Sequence, residues 1–246
     1  MKPSRRNPDT PSYAPATAAG EFKFRPAESY LEELLAQWPT HWPPKEHRVS
    51  QHDVTTAQCE GLARLLQRRV GEREIERFLA ENREVLSMAV WLFSTGHHMS
   101  WLFPKAVIRA SSGTPSGLIP DYLVAGADSE GVKWFVLELK GADKAAFVKE
   151  GKRVYLSSDA NKGVCQLMNY LDFAARDQAH LRDGLGFVQM REPRGMLLIG
   201  TEDESRDPQI QAFKAAWNRF NPQLTIRSYH ALLRLLQTKL QNLNRL

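Results

Sequence analysis

Two neighbouring apolar runs in the middle of the chain leave few folds open. Residues 121–127 (DYLVAGA) and 132–140 (VKWFVLELK) read as strands rich in β-branched and aromatic side chains. Residues 128–131 between them make a four-residue turn. Closing that turn between Ala127 and Val132 sets the hairpin register and puts Asp121 opposite Glu138. Side chains alternate along each strand, so Leu123, Trp134 and Val136 line one face. Tyr122, Val124, Phe135, Leu137 and Leu139 line the other. Both faces are apolar, so the pair belongs inside a sheet covered by helices on each side, an α/β arrangement.

One end of this hairpin breaks the pattern. Asp121, Glu138 and Lys140 share a face at the end of strands that are otherwise dry. Directly paired residues have Cβ atoms about 4.5–5.5 Å apart, close enough for two carboxylates to hold one cation. Alone, two such carboxylates repel, and one is driven to keep its proton. A Mg²⁺ ion removes that penalty. The alternative is a structural ion pair in which Lys140 neutralises the carboxylates without any metal. Burying such a triad is costly and often gains nothing over apolar residues, which weighs against a purely structural role. Pro120 suits the first position of a strand.

Around the hairpin the hydrophobic period switches between helix and strand. Residues 55–70 and 71–86 carry helical spacing, with Leu62, Leu65 and Leu66 inward in the first and Ile75, Phe78, Leu79 and Leu86 in the second. Residues 103–110 (FPKAVIRA) read as a strand that precedes the hairpin. A long helix over 159–181, a strand at 196–199, a helix over 208–220, a strand at 224–228 and a helix over 229–243 complete the order α-α-β-β-β-α-β-α-β-α. Residues 1–25, with four prolines among Ser, Thr and Ala, are expected to be a disordered tail. Residues 26–52 are expected to be a short helical adaptor with its helix over 27–37, and residues 53–246 the main domain.

No apolar run approaches a membrane span, and the basic N-terminus has no apolar segment behind it. Two cysteines, Cys59 and Cys165, lack metal-type spacing and suit a reducing compartment, so the expected location is the cytoplasm. A net charge of +5 permits a polyanionic partner without establishing one. Six basic residues cluster near the hairpin end: Lys140, Lys144, Lys149, Lys152, Arg153 and Lys162. They suit either a phosphate-tracking surface or a solvated charged face. Glu72 and Glu76 lie one turn apart on the second helix, as candidate carboxylates for the hairpin end or as an acidic edge paired with Arg73 or Arg77. Gln166 and Tyr170, one turn apart on the long helix, are candidate functional residues or simply polar residues bordering a packed helix. Adjacent His97 and His98 point apart and read as loop, and Trp91, Trp101, Trp134 and Trp217 read as core.

Pro120-Asp121, sixteen intervening residues and then Glu138-Leu-Lys140 resemble the PD-(D/E)XK nuclease signature. The element order over 71–200 is similar to the α-β-β-β-α-β core of restriction-endonuclease-like folds, here with an added C-terminal α-β-α. A narrower resemblance is to the Shedu immune nuclease family, in its C-terminal nuclease domain. EREIERFLAENREVL (72–86), IPDYLVA (119–125), FVLELKGAD (135–143), QLMNYL (166–171), MLLIG (196–200) and LTIRSYHALLRLL (224–236) carry it. One departure is His230, where an acidic residue is expected. Family members often carry a larger N-terminal domain than the roughly fifty residues that precede the core here.

The resemblance implies a metal-dependent DNA endonuclease in antiphage defence, acting as a homo-oligomer, with a tetramer among the forms expected. Asp121 and Glu138 would ligate Mg²⁺, with Mn²⁺ as a substitute. Lys140 would orient the attacking water and stabilise charge on the phosphate. Glu72 would touch the metal or its waters, and Gln166 matches the polar residue of the following helix, with Tyr170 one turn on. Other readings keep the same fold: a module that binds DNA or a partner without cutting, or a repair or RNA nuclease.

Overall fold

The computed structural model describes residues 45–50, 53–92, 99–108, 118–128, 130–202 and 207–243. The expected tail, the adaptor helix over 27–37 and His97-His98 lie outside them. A 3₁₀ turn, Lys45–His47, leads into β1 (Arg48–Val49), and then come α1 (Thr56–Arg68), α2 (Glu72–Glu81), α3 (Arg83–Ser87) and a second 3₁₀ segment, Met88–Leu92. Next are β2 (Met99–Pro104), β3 (Tyr122–Asp128), β4 (Gly131–Leu139), β5 (Phe147–Glu150) and β6 (Arg153–Leu156). The chain continues through α4 (Ser158–Arg176), β7 (Arg194–Leu198), α5 (Pro208–Phe220), β8 (Leu224–Arg227) and α6 (Tyr229–Leu243).

Six strands make one mixed sheet in the order β1-β2-β3-β4-β7-β8, flanked by helices, while β5 and β6 form a separate hairpin. Strand β4 is central, antiparallel to β3 and parallel to β7. The β3–β4 register is the one the turn length implies, with Ala127 opposite Val132 and Tyr122 opposite Leu137. The ladder runs one pair further than expected, to Asp128 and Gly131. Residues 48–49, within the expected linker, pair with Trp101 and Ser100 at the sheet edge.

The alternation of faces follows. Tyr122, Val124, Phe135, Leu137 and Leu139 join the core cluster built from α1, α2, α3 and α6. Full burial of a side chain such as Leu137 or Leu139 contributes about 1.5–3 kcal/mol. On the other face α4 covers the sheet so closely that a Cβ on Gly163 would lie 2.6 Å from Leu197 Cδ1. Only glycine permits that approach without repacking.

Three expectations need correction. The single helix over 71–86 is divided at Asn82, whose Nδ2 donates to Phe78 O at 2.8 Å and so competes for a helix carbonyl. The strand expected at 103–110 is β2, shifted to Met99–Pro104, because the MSWLF run supplies the ladder with β3. Pro104 then ends it with no N–H to donate, and beyond it Ile108 makes only an isolated bridge to Leu118. The β5–β6 hairpin lies in a stretch with no expected element, whose basic residues suit a phosphate-tracking or solvated face; Phe147, Val148, Val154, Tyr155 and Leu156 supply its β-forming residues.

Candidate active site

Backbone anchoring sets the end of β4. Lys140 donates its N–H to Leu198 O at 2.9 Å, and Tyr229 Oη donates to Lys140 O at 2.8 Å. Just beyond, Ala142 and Asp143 donate to Val70 O at 3.0 and 3.3 Å, tying this loop to the start of α2. Gly141 makes the fit tight, since a Cβ there would lie 3.1 Å from Glu72 N. These contacts bring Glu72, the first residue of α2, over the end of the hairpin.

Asp121 stands immediately before β3. Its Oδ2 accepts the Leu139 N–H at 2.7 Å, so the carboxylate replaces a backbone acceptor where the β3–β4 ladder ends. Its Oδ1 accepts from Lys105 Nζ at 2.5 Å. Glu138, 3% exposed, accepts from Lys140 Nζ at 2.7 Å. The Lys140 ammonium also lies 3.8 Å from Glu72 Oε2. Lys105 Nζ lies 2.8 Å from Glu76 Oε1. Four carboxylates and two ammoniums therefore interleave at one end of the sheet, each helix carboxylate linked through a different lysine.

The electrostatics match this crowding. Burial, reinforced by the charge of Asp121, pushes the Glu138 carboxyl up to about 7, against the downward pull of Lys140. Burial disfavours the Lys140 ammonium, but its hydrogen bond to Glu138 and the charges of Glu138, Glu72 and Asp121 outweigh that and raise its pKa. Tyr170 faces the same field: burial and then the charges of Glu138 and Asp121 push its hydroxyl up to about 12. Tyr170 Oη donates to Ile119 O at 3.1 Å, and Gln166 hydrogen-bonds Tyr170. Gln166 is thus tied to the cluster through its neighbour one turn on.

The structure brings Glu72, Asp121, Glu138 and Lys140 together at one end of the sheet. Of the outlying basic residues, Lys149 pairs with Asp207 at 2.7 Å and Lys144 with Asp143 at 3.4 Å, while Lys152 and Arg153 sit on the exposed β5–β6 hairpin. Trp101 and Trp134 are core, whereas Trp91 and Trp217 are partly buried. His230 accepts the Glu202 N–H at 3.1 Å in a separate polar group with Arg234 and Ser228. Lys105 and Tyr229 escaped the sequence reading. Placing Lys105 in mid-strand hid its role, because the proline before it is the signal that the strand stops there.

Among the described residues, no three His, Cys, Asp or Glu side chains converge on a metal position. The donor set still suits a hard cation. Mg²⁺ takes one or two carboxylates and keeps waters or phosphate oxygens for the rest of its octahedron, and Asp121, just before β3, and Glu138 on β4 are the carboxylates available for it. Burial first, and then the charge of Asp121, raise the Glu138 carboxyl, and a cation beside it would offset both. With an ammonium beside them, these groups can bind a divalent cation, hold a phosphate oxygen and exchange a proton near neutral pH.

A family model described as Shedu protein SduA, C-terminal, matches residues 70–233, more than half of the chain. The matched segment runs from the residue that anchors the loop after β4 to the middle of α6 and includes all four carboxylates and both lysines. No curated protein matches the chain.

Proposed function

The chain belongs to the Shedu SduA C-terminal family, and from that premise we propose that it is a metal-dependent DNA endonuclease of the PD-(D/E)XK type acting in Shedu antiphage defence. The observation that carries the reading is the convergence of Asp121, Glu138 and Lys140 at the buried end of a hairpin. Glu138 is 3% exposed and its carboxyl is raised to about 7. A cluster kept only for stability gains little from so costly a burial, whereas displaced pKa values are common where chemistry is done. The order α2, β2, β3, β4, α4, β7 supports a restriction-endonuclease-like core.

In this reading Asp121 and Glu138 would hold Mg²⁺ or Mn²⁺, which would supply Lewis acidity toward the phosphodiester and a lowered pKa for a water nucleophile. Lys140, held by Glu138 and with its carbonyl fixed by Tyr229, presents its ammonium to the charge that develops on the phosphate. Glu72 approaches from α2 and steadies that ammonium or the metal's waters. Gln166 and Tyr170 border the cluster from α4 and orient groups entering it. DNA is the expected partner, the protein acts as a homo-oligomer, and its place is the cytoplasm. No helix among the described residues is long and apolar enough to cross a membrane.

The test is to incubate supercoiled plasmid with the protein in Mg²⁺, in EDTA, and with Lys140→Ala and Asp121→Ala variants. Cleavage by the wild type in Mg²⁺ alone is expected. Cleavage that persists in both variants would overturn the site, and DNA binding without cleavage of any DNA form would turn the reading toward a binding module.

A further inference from the structure

Lys105 is the least expected member of the cluster. It follows Pro104 at the end of β2 and takes a left-handed backbone, φ 48°, uncommon for a non-glycine residue. Its N–H donates to Asp121 O at 3.0 Å, which pins the backbone beside the start of β3. From there Nζ reaches Asp121 Oδ1 at 2.5 Å and Glu76 Oε1 at 2.8 Å. The ammonium is therefore shared by two carboxylates from different elements, a place that favours a cation. Asp121 commits its other oxygen to the Leu139 N–H. Oδ1, the oxygen the sheet does not use, is the one Lys105 holds.

The two lysines of the site are held differently. The Lys140 side chain is 13% exposed, and its partner Glu138 is buried. The Lys105 side chain is 50% exposed, so its stem can swing the ammonium into solvent while the backbone stays in place. A divalent cation on Asp121 Oδ1 and the Lys105 ammonium compete for one position and repel each other at close range. With all groups ionised, four carboxylates against two ammoniums leave two negative charges. Exchange of the Lys105 ammonium for a divalent cation leaves one.

We propose that Lys105 is a positioning residue that holds the cation place between Asp121 and Glu76 and is displaced when a divalent cation binds. This rests on the metal-dependent reading of the site. It predicts that Lys105 weakens metal binding while keeping the metal-free carboxylates in place.

The experiment is calorimetric titration of Mn²⁺ into the metal-free full chain, without DNA, for the wild type, Lys105→Met, Lys105→Arg and Glu138→Gln. Lys105→Met is expected to bind Mn²⁺ about tenfold more tightly than the wild type, the size of a typical coupling between sites. Lys105→Arg, which keeps the charge, is expected to show no such gain. Equal or weaker binding by Lys105→Met overturns the proposal. If wild-type binding is lost in Glu138→Gln while Lys105→Met is unchanged, only this inference fails. If neither the wild type nor Lys105→Met binds Mn²⁺, the metal reading fails with it. Should Lys105→Met be unfolded without metal, circular dichroism gives the second readout. Refolding at Mn²⁺ concentrations below the wild-type Kd supports the proposal, and failure to refold overturns it.

Discussion

The Asp121 carboxylate accepts the Leu139 N–H at 2.7 Å, so a side chain completes the hydrogen bonding of the central strand one residue beyond Glu138. The same group is therefore part of the sheet and part of the site. Its loss should separate into two effects. Asp121→Ala leaves the Leu139 N–H without its acceptor and is expected to cost about 1–3 kcal/mol of stability. Asp121→Asn keeps an acceptor oxygen and should cost less, while both abolish cleavage. Urea unfolding checks the first effect and plasmid cleavage the second.

Glu138 makes metal-free stability depend on pH. Its folded pKa is about 7, against an ordinary value of 4.5, so between these values the folded state binds the extra proton. The contribution is fully present below about pH 4.5 and is lost as pH rises through 7. The shift corresponds to about 3 kcal/mol as an order of magnitude. The urea midpoint of the metal-free protein should fall between pH 5 and 8, and Glu138→Gln should flatten that fall. Equal slopes in both proteins would contradict the assignment.

Lys140→Met removes the hydrogen-bonded cation beside a buried carboxylate. Breaking one partner of such a pair typically costs about 3–5 kcal/mol. The loss should be larger at pH 8 than at pH 5, where Glu138 already carries its proton. The double variant Lys140→Met with Glu138→Gln is expected to recover most of the stability and none of the activity. A double-mutant cycle by chemical denaturation measures the coupling.

Tyr229→Phe tests the anchor behind Lys140. Tyr229 is fully buried and donates to Lys140 O at 2.8 Å. Removing the hydroxyl should cost about 1 kcal/mol and lower the cleavage rate more than it alters DNA affinity. A change in affinity alone, measured by fluorescence anisotropy, would mean that the anchor does not serve the reacting end of β4.

The hairpin was legible from residues alone because both of its strands are apolar on both faces and the turn between them is short. Those two facts gave the register that puts Asp121 and Glu138 side by side. The choice between Glu72 and Glu76 was not legible, since both sit on one helix edge. What separates them is how α2 docks against the loop at Gly141, which brings Glu72 toward Lys140 and leaves Glu76 to Lys105. Lys105 was hidden for a similar reason. Its partner Asp121 lies sixteen residues further along the chain, and the strand before it pairs through MSWLF, ending at Pro104.

The central claim is that Asp121, Glu138 and Lys140 cut phosphodiester bonds with a divalent metal. Its most direct test is single-turnover cleavage of an end-labelled DNA duplex, with Mg²⁺ titrated against wild type and Glu138→Gln. The account predicts a wild-type rate that saturates with Mg²⁺ and vanishes in EDTA, and a rate in Glu138→Gln lower by about a hundred- to a thousandfold. Cleavage that continues in EDTA, or that is unchanged in Glu138→Gln, would contradict it.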